Sequence, residues 1–483
     1  MTAIYLLGAL IICILLVINR NRKVNYVLVT AFLLLQWALT AYQFMHRDTL
    51  PTGQAGEEVF GFFKADALAL LMLTTLSIVA IPAYFHSYVY FQNRKPTPRV
   101  RSIYFMSMTL LLTAVSGAYL SNHLAVTWVF VELTTLAASG LVYHHRDASA
   151  LEGTWKYIFI CSISITLVFI GILFTSIALQ QAGHGELSYP ALLENAASLN
   201  VFWLRLAFIF IFTGYTAKMG LVPMYTAGID AKDKAPSPAG ALLSSVLMNM
   251  GFVGMFRFYE VVAKTSLHDW SNNVIFIAAG LSIFVATVYM LKVENIKRML
   301  AYSSIEHTGL VMLGVAAGGV GYYAAVLHLI LHAFAKSSLF FQIGQVHRIF
   351  RSKHISETGN YFKYNLPGAM VLLLGFICAT AMPPSGLFIS EFMIFRALFE
   401  GHHLVILAVV LLLLTLIIWA FGKNMFKLLF TPLAHFDETK MGKVYGYESI
   451  SQFVLLGLVI YLGFNPPAEM VALIQEAVAG LPH

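Results

Sequence analysis

The run His328-Leu-Ile-Leu-His332-Ala-Phe-Ala-Lys336 sets three titratable side chains four residues apart among apolar neighbours. In a helix each step of four advances the side chain by about 40°, so all three share one narrow face. Imidazole titrates near neutral pH and accepts at one nitrogen while donating at the other, which makes this stripe a candidate proton relay. Zinc is the sharper rival, since histidines at i and i+4 can share a metal, and a core histidine satisfied by a neighbour is the plainer one. Here no carboxylate stands between the histidines and no cysteine is near, which disfavours the metal. Glu132 in Trp128-Val-Phe-Val-Glu132-Leu, Lys218 in Lys218-Met-Gly-Leu-Val-Pro223 and Glu391 in Phe388-Ile-Ser-Glu391-Phe are likewise isolated among apolar residues.

An ionised side chain at mid-membrane depth costs about 2.5–3.5 kcal/mol on insertion scales, so each of these needs a partner or a function. Burial disfavours an ammonium and a nearby carboxylate favours it, so a Glu132–Lys218 pair of variable separation is a switch for proton affinity. The structural alternatives are a Glu132 carboxyl held by a hydroxyl such as Thr134, and a permanently charged pair that only fixes packing. For Glu391, Arg396 five residues on offers a neutralising partner; without it Glu391 suits an exit group. Asn249, Lys232, Lys234 and His307 are auxiliary candidates. Arg257, Glu260 and the Glu306-His307 pair read as solvated or snorkelling charge near helix ends.

These side chains must be positioned by membrane helices. The 483 residues are 59% hydrophobic and only 11% charged, and the mean hydropathy of +0.76 is far above soluble usage. Apolar stretches of about the 20 residues needed for a crossing recur along the chain, giving an all-α integral membrane protein of about fourteen transmembrane helices. The third (61–92), eleventh (320–350) and thirteenth (403–430) exceed the bilayer thickness. Among the others are 123–143, 201–227, 236–263, 296–317, 365–399 and 447–477.

The net charge of +7 is explained by topology. Basic residues fill alternate connections: Arg20, Arg22 and Lys23 in the first, Arg94, Lys95, Arg99 and Arg101 in the third, and so on to Lys440 and Lys443. The intervening connections carry Glu57, Glu58, Glu186 and Glu194. This alternation is the positive-inside pattern and expects both termini on the outer face of a prokaryotic inner membrane. It also removes the case for nucleic acid. Cys13, Cys161 and Cys378 stand alone, so the expectation is no redox cofactor in this chain, any redox centre belonging to another chain. Met1 opens directly into an apolar segment, read as a retained helix and not a signal peptide.

Two segments are interrupted, the seventh at Lys218-Met-Gly-Leu-Val-Pro223 and the twelfth at Met382-Pro-Pro-Ser-Gly386. Broken helices five apart point to two inverted five-helix repeats, helices four to eight and nine to thirteen. The chain then reads as one bundle (1–483): helices one to three in 1–100, a first repeat over 101–263, a second over 270–430, and a final helix in 447–483.

Taken together with Ala235-Pro-Ser-Pro-Ala-Gly-Ala-Leu-Leu-Ser244, Ala301-Tyr-Ser-Ser-Ile-Glu-His307 and Pro383-Pro-Ser-Gly-Leu-Phe-Ile-Ser-Glu391, these motifs resemble the antiporter-like subunits shared by complex I, Mrp antiporters and membrane-bound group 4 hydrogenases. The last two stretches look most like hydrogenase-4 component F and its relatives. The resemblance implies a proton-translocating subunit of a redox-driven, hetero-oligomeric complex, with two half-channels joined by a buried axis and with any Fe–S, NiFe or flavin centre in partner subunits. By position Glu132 and Lys218 match its input pair, His328, His332 and Lys336 its central relay, and Glu391 its output group. An Mrp-type cation/proton antiporter, carrying sodium as well as protons, and a scaffold subunit with a decayed channel are the alternatives. The chain departs from the family between Pro223 and Pro236, where Tyr225 and Ala227-Gly-Ile-Asp-Ala-Lys232 replace the usual histidine-containing pattern. Lys232 and Lys234 are expected to supply charge at an entrance there. In helix eight Ser244, Ser245 and Asn249 stand where a bridging Lys or His is usual, and a neutral amide holds water without storing a proton.

Overall fold

The computed structural model describes residues 1–47, 61–94, 96–433 and 436–482; Glu57, Glu58 and Lys95 lie outside them. Its helices in chain order are α1 (Thr2–Ile18), α2 (Arg22–Met45), α3 (Ala67–Arg94), α4 (Pro98–Leu120), α5 (Leu124–Val142), α6 (Ala148–Gln181), α7 (Tyr189–Glu194), α8 (Val201–Met219), α9 (Thr226–Lys234), α10 (Ser237–Ser244), α11 (Val246–Ala263), α12 (His268–Met290), α13 (Ile296–Ala317), α14 (Val320–Phe350), α15 (Tyr361–Tyr364), α16 (Leu366–Ala379), α17 (Gly386–Glu400), α18 (Leu404–Phe430), α19 (Ile450–Phe464) and α20 (Ala468–Val478). Among the described residues, eleven helices are long and apolar enough to cross a membrane, and α1 and α16 are shorter apolar helices.

The helix starts follow from local chemistry. Asn21, Asp147, Asn295, Asn365 and Ser385 each cap the helix that follows by accepting a backbone N–H, which satisfies a donor the helix leaves open. The last segment expected from sequence divides in two, because Asn465-Pro-Pro467 cannot continue α19; α20 folds back so that Leu473 and Ile474 are buried.

The break in the seventh segment lies at Gly220, which ends α8 with φ 81°, a conformation only glycine adopts without strain. Its freed groups are recovered locally. Gly220 and Leu221 N–H both donate to the Thr216 carbonyl, and Val222 N–H donates to Ser282 Oγ of α12 at 2.9 Å. The break in the twelfth segment spans Thr380–Ser385 between α16 and α17, where Met382 N–H donates to the Ile377 carbonyl. A third interruption has no counterpart in the sequence reading. The eighth segment turns at Ser245 (φ −116°, ψ −89°), dividing α10 from α11, and the Tyr119 hydroxyl donates to the Val246 carbonyl beside the turn.

α14 is the axle of the bundle, buried throughout its length against α13, α17, α19, α10, α16 and α3. The α10–α11 segment is similarly enclosed. By contrast α18 exposes Val405, Val409 and Leu412, and α6 exposes Trp155, Phe159 and Ile163, the apolar rim expected against lipid. At 28 and 31 residues, α3 and α14 outreach a hydrocarbon core of about 30 Å at about 1.5 Å per residue.

Candidate functional site

Two clusters of ionisable side chains lie inside the bundle. The first is built on the last turn of α8, where Lys218 is 3% exposed. That turn approaches α11 closely because residue 251 is glycine; a Cβ there would stand 2.8 Å from the Lys218 Cβ. The Lys218 ammonium donates to Thr135 Oγ1 at 2.8 Å, to Thr134 Oγ1 at 3.1 Å and to the Tyr157 hydroxyl at 3.4 Å. Thr135 in turn donates to a Glu132 carboxylate oxygen at 3.4 Å. The hydroxyl between the two charged groups is therefore Thr135, and Glu132 and Lys218 make no direct ion pair. Glu132 is half-buried on a face of α5 that also exposes Val129 and Leu136.

The second cluster joins α13, α14 and α17. The Lys336 ammonium donates to Ser303 Oγ at 2.6 Å, and Ser303 donates to Glu306 Oε2 at 3.4 Å. Glu306 and His307 are 3% and 1% exposed, not solvated. They lie ten and eleven residues into α13, about 15 Å along the helix and near the middle of a bilayer core. His307 Nε2 lies 3.0 Å from the Ala379 carbonyl and its Nδ1 lies 3.0 Å from His328 Nε2. A carbonyl only accepts, so Nε2 of His307 carries hydrogen; in the neutral ring Nδ1 then accepts from His328 Nε2–H. The Ala379 carbonyl ends α16 at the break, so the interrupted helix itself selects the tautomer. His328 Nδ1 lies 3.0 Å from Ser390 Oγ on α17. His332 packs its ring 5.0 Å from that of His307, and its Nε2 is buried with no partner among the described residues.

Glu391 follows Ser390 and is 8% exposed. Arg396 does not neutralise it: a separation of five turns a helical residue about 140° away, and Arg396 Nε instead donates to Glu400 at 2.8 Å on the surface. Arg257 is buried rather than snorkelling, holding Asp66 at 2.7 Å and the Tyr119 and Ser121 carbonyls in a clamp between α11 and the start of α3.

Between the clusters stands Lys232, expected at a solvated entrance but 3% exposed in α9. Its ammonium lies 3.2 Å from Met248 Sδ, a weak acceptor, with no carboxylate bonded to it among the described residues. Lys232 and Lys218 line one cavity of about 10 Å³ with Tyr157, Gly228 and Leu247, near the lower bound for a single water. On its other side Lys232 is within electrostatic reach of Lys336 and His332. Asn249 is fully buried and both amide atoms lack a partner among the described residues. Lys234 stays at the surface, donating to Ser149 Oγ at 2.6 Å. Among the described residues no group of three or more metal-ligating side chains converges, and the three cysteines are buried and unpaired.

The arrangement offers two lysines solvated by hydroxyls, a third between them, and a histidine chain leading to two buried carboxyls, which is what stepwise proton transfer requires. Residues 121–417 match the family described as NADH:quinone oxidoreductase/Mrp antiporter, transmembrane. The Hydrogenase-4 component F homolog of Methylacidiphilum infernorum is 29% identical over 352 residues, covering 71% of this chain and 74% of the relative. Among solved structures, a chain of an archaeal membrane-bound sulfane sulfur reductase superposes with a TM-score of 0.86 at 21% identity, over 99% of this chain and 97% of that one. A chain of the Mrp complex from Dietzia sp. DQ12-45-1b gives 0.83 at 16% identity, over 99% and 96%.

Proposed function

Because the chain belongs to the NADH:quinone oxidoreductase/Mrp antiporter transmembrane family, we propose that it is a proton-translocating subunit in the membrane arm of a redox-driven complex of the complex I and group 4 hydrogenase type. The observation that carries this is the enclosed row Lys218, Lys232, Lys336, each buried and each, among the described residues, without a carboxylate bonded to its ammonium. Three permanently charged lysines in such a row repel one another; lysines that take up and release protons in turn do not. In this reading Glu132 and Lys218 load the proton, Lys232 carries it past Asn249, Lys336 with His332, His328 and His307 relays it, and Glu391 releases it. In this reading Lys232 supplies the bridge that helix eight lacks, which weighs against a decayed scaffold.

The proposal extends to topology. The eleven apolar helices together with α1, α13 and the α16–α17 segment make fourteen crossings. The breaks after α8 and α16 fit two inverted repeats within one bundle, 101–263 and 270–430, flanked by 1–100 and 447–483. The basic loops fit a prokaryotic inner membrane with both termini outside. Half-exposed Glu132 beside Val129 and Leu136 suits a seam with a neighbouring membrane subunit, and redox centres belong to peripheral partners. Likeness to the Mrp complex supports a second reading, cation/proton antiport, in which the row exchanges sodium for protons.

The test is proton uptake by the purified complex in liposomes. Lys218→Met is expected to abolish coupled transport while the partner's electron transfer persists or falls; unchanged transport overturns the proposal. A requirement for sodium in the wild type selects the antiport reading.

A further inference from the structure

A separate cavity of about 420 Å³ opens on the face that carries the basic loops, between the ends of α3, α10, α13 and α14. Five cations line it: Arg94, Lys297, Arg348, Arg351 and Lys353. His86, His145 and His347 add three imidazoles, and no lining residue is a carboxylate. Two carboxylates stand behind the wall. Asp233 holds Lys353 at 3.4 Å and buried Glu448 holds Arg348. Among the described residues Arg94, Lys297 and Arg351 are left without a carboxylate: Arg94 lies over the Tyr90 ring and reaches His145 Nδ1 at 3.4 Å, and Lys297 donates to the Ala235 carbonyl at 2.7 Å.

The recess therefore gathers three basic groups with no carboxylate bonded to them among the described residues, an arrangement that favours an anion at this place. Its floor is built to receive one. Lys297 is 3% exposed, and the Gln345 amide nitrogen is buried with no acceptor among the described residues. Arg94 and Arg351 are exposed at the mouth. The guanidinium groups of Arg94 and Arg351, whose donor forks are not taken up by a carboxylate among the described residues, match a multiply charged oxyanion better than a single carboxylate. Basic recesses between helices at a membrane surface are suited to lipid phosphates.

We infer that this cavity binds a phosphate group, carried by the headgroup of an anionic phospholipid or by soluble phosphate. It lies apart from the proton row, and the bound anion ties the ends of α3, α13 and α14 together.

The complex containing the full chain is purified, delipidated, and offered two probes: vesicles of phosphatidylglycerol against phosphatidylcholine, and inorganic phosphate against chloride at equal ionic strength. Native mass spectrometry and thermal stability are read. Retention of phosphatidylglycerol, or stabilisation by phosphate, supports the site, and which of the two occurs names the source. The variant Arg94→Gln/Arg351→Gln, confined to the exposed mouth, is expected to weaken binding by about 30-fold; Lys297→Gln reports on the floor. Binding of neither probe, binding undiminished in the mouth variant, or an acidic segment of another subunit found filling the cavity overturns the inference.

Discussion

The Lys218 and Lys336 sites solve the same problem with different neighbours. Lys218 is solvated by three hydroxyls, and its carboxylate, Glu132, stands one hydroxyl away on a half-exposed face. Lys336 has one hydroxyl, Ser303, with Glu306 behind it and a histidine chain alongside, all enclosed. The first site depends on what covers Glu132 and so is open to control by a neighbour. The second carries its own acids and bases and is sealed. In the proposed path this contrast suits a loading site, which must sense its surroundings, and a relay, which must be shielded from them.

The largest effect that tests this contrast is on the order of transfer. Lys336→Met and Lys218→Met are both expected to abolish net transport, but a fast initial phase of proton uptake persists only in Lys336→Met. Loss of that phase in both breaks the distinction. Next is the link between the sites. Lys232→Met is expected to stop transport, and adding Asn249→Lys to restore part of it by returning a base to α11; a double variant as dead as the single one removes Lys232 from the path. Within the relay, His328→Gln keeps hydrogen bonding without proton storage and is expected to slow transport by about 10²-fold, the lower range for a lost acid–base group. Thr135→Val takes one hydroxyl from the Lys218 ammonium, and a hydrogen bond to a charged group contributes about 1.5–3 kcal/mol, so the fast phase is expected to fall while later steps keep their rate. Smallest is Arg396→Gln. A surface pair contributes about 0–1 kcal/mol, and transport is expected to stay at the wild-type level; a loss there would restore Arg396 as the partner of Glu391.

Much of the fold was legible because apolar runs bound helices sharply. The segments 296–317 and 320–350 coincide with α13 and α14, and the Gly-Leu-Val-Pro and Pro-Pro-Ser-Gly stretches end helices for plain steric reasons. The turn at Ser245 was not legible, since no glycine or proline marks it and the Tyr119 hydroxyl that bonds the Val246 carbonyl beside it comes from a distant helix. At the site, the α14 stripe could be read from spacing alone. Glu306 and His307 were legible too, had their depth along α13 been counted at about 1.5 Å per residue. Lys232 was harder. Its sequence neighbours Asp230, Asp233 and Lys234 are those of a surface loop, and only the fold buries Lys232 together with Asp233 while Asp230 pairs with Arg298.

One hydrogen atom remains to be followed. The Ser390 hydroxyl has a single proton and two acceptors, His328 Nδ1 at 3.0 Å and the Leu387 carbonyl at 3.1 Å. While Nδ1 is bare, the hydroxyl can point at it; once Nδ1 takes a proton, the hydroxyl must swing to Leu387. Ser390 is thus a compass needle beside the relay, and the infrared O–H stretch of that one serine, absent in Ser390→Ala, is an optical record of whether the imidazole is loaded.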